Sequence, residues 1–272
     1  MKNVNNKIET TVSKHSGKTS PVVSVIVPVY NLQDYVAETL DSILASDYPN
    51  IEIIVVDDGS TDSSPEIIEA YADKSDKIRL FKQANRGVSA ARNQAIRLSC
   101  GKYILPVDGD DLISSNYITE AVNVLEQNPQ IKVVCCQVEK FGVKNGVKKY
   151  PPFSYSLLAR KNMIVNSSMF RKSDWEKIEG GYCEEEIYCE DWDFWISMFK
   201  TGGEFLRLPF IGLKYRVRQV SRRTNAISQK KKMIDIINRR HKAFLYKQLG
   251  GKLHYKRTWS RFFNFFCRLS AF

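Results

Sequence analysis

Histidine is scarce in this chain: His15, His241 and His254 are the only three in 272 residues. None lies beside a cysteine pair, and the six cysteines form no CxxC, so a structural zinc site is not expected. A chain of this length builds a core without disulfide staples, and Cys100, Cys135, Cys136, Cys183, Cys189 and Cys267 read as reduced thiols. No apolar run reaches the roughly eighteen residues that a membrane-spanning helix needs. Residues 1–20 lack an apolar signal core. They are polar and read as a loose leader, which places the protein in the cytoplasm. Acids are almost missing from the last part of the chain. From Leu213 onward 17 Lys and Arg face one acid, Asp235, a balance of +16, whereas the first 212 residues hold 24 bases and 29 acids, a balance of −5. The net +11 therefore belongs to a C-terminal segment and points to a polyanionic partner, a membrane surface or nucleic acid.

What is present is an alternation. Val22–Pro28 is a β-branched apolar run that reads as a buried strand, and Asp34–Leu44 follows with helical spacing. Strands are expected again at Ile51–Val56, Ile78–Phe81, Tyr103–Val107 and Ile131–Val138. Helices are expected at Ser64–Tyr71, with Pro65 in its first turn, and at Val88–Leu98 and Ser115–Leu125. This order predicts an α/β fold with a mainly parallel sheet covered on both faces. Beyond Val138 the pattern changes. Asn145-Gly146 suggests a hairpin, Asn162–Phe170 a further strand, Glu190–Met198 a helix, and Phe205–Leu208 and Ile211–Val217 short strands. Gln219–Gln229 reads as a linker and Lys230–Leu249 as a basic helix.

Two strand ends carry acids. Tyr103–Val107 runs into Asp108-Gly109-Asp110-Asp111, and Ile51–Val56 into Asp57-Asp58-Gly59-Ser60-Thr61-Asp62. Clustered carboxylates at one strand end are costly unless a cation offsets them, and oxygen-rich sets suit Mg²⁺ or Mn²⁺ beside a substrate phosphate. In parallel sheets ligands bind at the carboxyl ends of strands, so the fold would bring these ends together. The bland reading of each cluster is a polar loop capping the next helix.

Taken in order, several segments resemble the family 2 glycosyltransferases of GT-A fold over about Ser20–Arg218. They are Val23-Ser24-Val25-Ile26-Val27-Pro28-Val29-Tyr30-Asn31, Asp57–Asp62, Asn85-Arg86-Gly87, Ala90-Ala91-Arg92-Asn93, Asp108–Asp111, Gly180-Gly181-Tyr182 and Glu190-Asp191-Trp192-Asp193. The resemblance implies a catalytic domain over 21–218, with a donor half at about 21–112 and an acceptor half at about 113–218. Residues 219–272 would form a basic helical extension. It implies a nucleotide-sugar donor, a UDP-sugar first, and Mn²⁺ or Mg²⁺ at a DXD motif falling on Asp108 and Asp110, with Gly109 between them. A metal there would offset charge developing on the leaving diphosphate. Asp58 matches the carboxylate that contacts uracil, and Pro28 and Tyr30 would line the base pocket. Arg86 and Arg92 would neutralise phosphate or acid charge, or make surface ion pairs. Beside these, the stretch after Val217 is expected to fold over the donor, with Arg216, Arg218 or Arg222 meeting the diphosphate.

Asp191 matches the family's catalytic base, opposite the leaving group, which gives a single in-line displacement with inversion. Glu190 beside it would raise its pKa by like-charge proximity. The alternative for this pair is an acidic helix N-terminus favoured by the macrodipole, and for Phe194 and Trp195 the core face of the helix. Gln219-Val220-Ser221-Arg222-Arg223 is similar to the QxxRW signature of processive synthases, but Arg223 stands where that signature has Trp, so one sugar per encounter is expected. On a helical wheel Trp259, Phe262, Phe263, Phe265, Phe266, Leu269 and Phe272 oppose Arg257, Arg261 and Arg268. That pattern fits a helix lying in a membrane interface, at the cytoplasmic face, or one docked on the main domain or a second subunit. The implied acceptor is a glycan or lipid-linked precursor of a surface polysaccharide. The rivals are a related sugar-nucleotide enzyme on the same fold and a basic nucleic-acid-binding protein. The second is opposed by the acidic main domain and by the lack of a nucleic-acid motif.

Overall fold

The computed structural model describes residues 21–185, 189–219 and 230–254. In chain order, β1 (Val23–Val29) leads to α1 (Val36–Leu44), β2 (Ile51–Asp57), α2 (Ser64–Ala72), β3 (Ile78–Lys82), α3 (Val88–Leu98) and β4 (Tyr103–Pro106). Then follow β5 (Leu112–Ile113), α4 (Tyr117–Gln127), β6 (Ile131–Gly142), β7 (Gly146–Lys148), α5 (Tyr155–Leu158), β8 (Met169–Arg171) and α6 (Lys172–Trp175). The last elements are α7 (Glu190–Phe199), β9 (Glu204–Val217), α8 (Lys230–Arg240) and α9 (Lys242–Leu249).

The nine strands form one sheet in the order β3-β2-β1-β4-β8-β6-β9-β5, with β7 added beside β6. β1 to β4 pair in parallel, as the alternating pattern predicts. β8 is antiparallel to both β4 and β6, and β5 is antiparallel to β9, so the far half of the sheet is mixed. β1 is buried at all seven positions, which is why its sequence is a continuous apolar run rather than an alternation. Its residues point to opposite faces in turn. Val23, Val25, Val27 and Val29 join one core with α1 and α4, while Ile26 joins a second core with α3 and α7. α3 lies against β1 and β2 through Ala90, Ala91 and Ala95, small residues that permit a close approach.

The second half departs from the sequence reading in three places. Of Asn162–Phe170, only the end enters the sheet, as β8. Phe205–Leu208 and Ile211–Val217 are one strand, β9, whose pairing with β6 carries register shifts. The basic helix is two helices, parted at His241. These helices are not detached from the rest: Met233, Ile234, Ile237, Phe244, Leu245 and Leu249 are buried in the second core with Trp192, Phe194 and Trp195 of α7. The linker reading of Gln219–Gln229 and the aromatic tail reading of Arg257–Phe272 lie outside the described residues, apart from Gln219.

Candidate active site

The turn after β4 holds the acidic cluster. Gly109 lets it press on the end of β1, since a Cβ there would lie 2.9 Å from Leu32 Cδ1 and 3.3 Å from the Pro28 carbonyl oxygen. Asp108 Oδ1 accepts from Arg92 Nη2 at 2.6 Å and from Asn166 Nδ2 at 3.1 Å. The other guanidinium nitrogen, Arg92 Nη1, donates to Glu190 Oε1 at 2.9 Å. Arg92 is buried, and its pKa rises further above the usual range, because Asp108 and Glu190 together outweigh the burial that opposes its charge. One arginine of α3 thus ties the turn of β4 to the first residue of α7.

Asp191, the next residue of α7, is half-buried. Its Oδ2 accepts from Asn162 Nδ2 at 2.6 Å and its Oδ1 from the Trp192 amide at 2.8 Å. Burial, and then the charge of Glu190, push its carboxyl up to about 6, while Arg92 pulls the other way. The start of α7 is an acidic helix N-terminus, and within it the proton affinity of Asp191 is raised toward neutral pH. Behind it, Tyr182 stacks on Phe194 with centroids 4.0 Å apart, and Arg92 lies over the Tyr182 ring at 5.4 Å. Asn93 fixes that tyrosine: its Oδ1 accepts from the Tyr182 amide and its Nδ2 donates to the Tyr182 carbonyl, both at 2.8 Å.

On the β1–β2 side, Asp57 and Asp58 divide two jobs. Asp57 Oδ1 accepts from the Ser60 amide at 3.3 Å, a turn cap. Asp58 is buried and receives three donors: Gln83 Nε2 at 2.7 Å, the Arg86 amide at 2.9 Å and the Gly87 amide at 2.8 Å. It therefore anchors the loop that opens α3. Pro28 is buried at the end of β1, and Tyr30 beyond it is exposed. Arg86 makes a surface ion pair with Glu184 at 2.9 Å, the plainer of its two readings. Arg216 donates through Nε to the Asp110 carbonyl at 2.9 Å, and its amide donates to Asp111 Oδ1 at 2.8 Å. Arg216 also pairs with Glu38. Arg218 Nε meets Asp110 Oδ2 at 2.8 Å.

The cluster suits a divalent ion by its donor chemistry. Burial and the Asp108 charge push Asp110 up to about 6, despite Arg218, and Asp111 stands well above the usual carboxylate range for the same causes. No trio of His, Cys, Asp or Glu among the described residues is arranged to close on one ion. An ion here would take oxygens of Asp108 and Asp110 and complete its shell with phosphate and water, which is how Mg²⁺ and Mn²⁺ are commonly held.

Asn162 and Asn166 had no role in the sequence reading, because both lie in the stretch read as a strand. Their spacing to Asp191 and Asp108 across the chain leaves no local pattern.

The glycosyl transferase family 2 model matches residues 24–183. The uncharacterized glycosyltransferase EpsJ of Bacillus subtilis is 46% identical over 116 residues, 43% of this chain and 33% of that protein. An uncharacterized glycosyltransferase of Rickettsia typhi is 31% identical over 228 residues, covering 77% of this chain and 68% of that one. The chain thus spans about a third of EpsJ but two thirds of the Rickettsia protein. Among solved structures, Staphylococcus aureus TarS 1–349 in complex with UDP-GlcNAc superposes with a TM-score of 0.71 at 22% identity, over 84% of this chain and 71% of that chain. A mannosyltransferase of Pyrobaculum calidifontis in complex with GDP-Man and Mn²⁺ gives 0.65 at 22% identity, over 84% and 69%. At such identity these structures speak for the fold, which is that of the GT-A glycosyltransferases, while the family match and the Rickettsia relative together speak for ancestry: the chain belongs to glycosyl transferase family 2.

Proposed function

We propose that the protein is an inverting glycosyltransferase that moves a sugar from a nucleoside diphosphate donor, a UDP-sugar first, to a hydroxyl of a glycan or lipid-linked acceptor in surface polysaccharide synthesis. The observation that carries this reading is the Glu190–Arg92–Asp108 chain of ion pairs. It keeps the start of α7 and the acidic turn of β4 within the reach of a single side chain, as a reaction that spans base and leaving group requires.

In the proposed step an acceptor hydroxyl attacks the anomeric carbon and gives its proton to Asp191. A bond forms between the acceptor oxygen and that carbon while the bond to the diphosphate breaks, with the electron pair leaving on the diphosphate. Asn162 holds Asp191 in place from one side, and its own helix amide from the other. Arg92 holds Glu190 in an ion pair, which leaves Asp191 as the carboxylate of this helix start placed to take the proton. Asp108 and Asp110 would hold the metal, which when bound supplies positive charge at the leaving diphosphate. Arg216, near the end of β9, and Arg218, just after it, reach the same turn and supply further positive charge there. TarS and the Pyrobaculum enzyme, with UDP-GlcNAc and GDP-Man, support a nucleotide-sugar donor for this chain as well.

The test is a screen of nucleotide sugars for Mn²⁺-dependent hydrolysis and transfer, followed by linkage analysis of the product. Release of nucleoside diphosphate with inverted product is expected. Turnover with a retained anomeric centre, or none with any nucleotide sugar while nucleic acid is bound tightly, would overturn the proposal.

A further inference from the structure

Two residues beyond Asp191, the same helix carries a carboxylate that the reaction does not use. Asp193 is fully buried, and its Oδ1 accepts from Arg240 Nε at 2.9 Å and pairs with His241 Nε2 at 2.7 Å. Asp193 Oδ2 and His241 Nδ1 have no partner among the described residues, so one oxygen carries the whole attachment. Arg240 ends α8, and His241 is the residue at which α8 and α9 part. His241 is itself buried, and its backbone serves both helices: its amide donates to the Ile237 carbonyl of α8 and its carbonyl accepts from the Leu245 amide of α9. A buried carboxylate is tolerated only when paired, and removing one partner leaves the other charge stranded. Asp193 therefore fixes α7 against the joint of α8 and α9 at one polar point within an otherwise apolar contact built from Trp195, Ile237, Phe244 and Leu245.

We propose that Asp193, Arg240 and His241 are positioning residues for Asp191, and that residues 230–254 are in this way a working part of the active site. Apolar packing holds two surfaces together but tolerates sliding and rotation. A paired charge at one point sets where along its axis, and at which rotation, α7 comes to rest. Asp191 and Glu190 stand in the first turn of that helix, so a small shift of the helix moves the base relative to the acidic turn. Misplacement of a reacting group by about 1 Å costs on the order of 100-fold in rate. This inference rests on the assignment of Asp191 as base.

The experiment uses the full chain with Asp193→Asn, His241→Leu and His241→Gln, and with Asp191→Asn alongside. Turnover is measured under saturating donor and acceptor, donor affinity is measured by calorimetry, and all assays are run well below each variant's melting temperature. Expected is a fall in kcat of about tenfold or more for Asp193→Asn and His241→Leu, with donor Kd within about twofold of the parent. His241→Gln, which retains an N–H toward Asp193, recovers most of the rate. Parental kcat in His241→Leu and Asp193→Asn overturns the inference, and so does a loss of donor affinity equal to the loss of rate, which marks general loosening. If Asp191→Asn turns over at the parental rate, the base assignment fails instead. If Asp191→Asn is dead while both cluster variants are active, only the present inference fails.

Discussion

At Asp191 catalysis and stability pull apart. Its carboxyl is pushed up to about 6 by burial and by Glu190, from 3.8 in an unfolded chain. A group raised in this way favours the folded state while protonated, and that contribution is lost as pH rises through about 6. The proposed reaction wants the opposite, the ionised form. Turnover is therefore expected to fall below about pH 6, checked by a pH profile of kcat at saturating donor. Asp191→Asn should bind donor within about twofold of the parent yet lose at least 1,000-fold in kcat, within the range set by loss of a general base and its geometry. Its melting temperature, compared with the parent, should improve between pH 5 and pH 8, because only at the higher pH does the parent carry the buried charge. Asp58 gives a contrasting case. Its carboxylate already serves three donors of the 83–87 loop, two of them backbone amides. Asp58→Ala should cost about 1–3 kcal/mol in urea unfolding, from amides left without an acceptor, whatever it does to nucleotide affinity.

Between elements, the decisive join is Arg92 of α3, buried between Asp108 after β4 and Glu190 of α7. Arg92→Met keeps the volume and removes the charge from between two carboxylates. Stability should fall by about 3–5 kcal/mol, the range for breaking a buried pair from one side. Among molecules that still fold, Asp191 loses the cation that holds its pKa down, so the acidic limb of the rate profile should move upward. A limb that stays in place would remove Arg92 from the electrostatics of the base. How much of this was legible in the sequence depends on the element. β1, β2 and β4 could be read because each is a short apolar run in a sheet covered on both faces, and β3, partly exposed at the sheet edge, by its place in the alternation. The four acidic and basic motifs of the donor side follow directly from those strand ends. Arg92 was legible as a cation near acids, though not as the bridge between two of them. The stretch 162–170 misled: Met163 and Ile164 are buried as a strand's would be but lie on irregular backbone, and only Met169 and Phe170 enter the sheet, in β8. Its asparagines act across the chain, on Asp191 and Asp108, at separations of 29 and 58 residues that no local period encodes.

On the scale of the molecule, the question is where the +16 of the last sixty residues acts. The described part of that segment is two-sided. Met233, Ile234, Ile237, Phe244, Leu245, Leu249 and Leu253 face the second core, while Lys231, Lys242, Lys247 and Lys252 are exposed. Half of the extension thus behaves as part of the catalytic body, and its apolar spacing, not its charge, was the signal for that. No helix among the described residues is long and apolar enough to cross a membrane. A basic surface supplies roughly 1 kcal/mol for each Lys or Arg near an anionic leaflet, and an aromatic helix face adds burial in the interface. Residues 257–272 carry the aromatic half of that pattern. A chain ended after His254 retains Leu253 and the packed helices and should therefore keep its melting temperature and its turnover on a short soluble acceptor. It should lose most of its flotation with vesicles containing phosphatidylglycerol, and the full chain's flotation should weaken as salt rises. Equal flotation of the two chains would move the membrane contact off the aromatic tail. Salt-sensitive shifting of duplex DNA at concentrations where no vesicle is bound would assign the charge to nucleic acid instead. The acidic balance of the first 212 residues argues against that second outcome, because a long polyanion held by the basic segment would also meet a body of like sign.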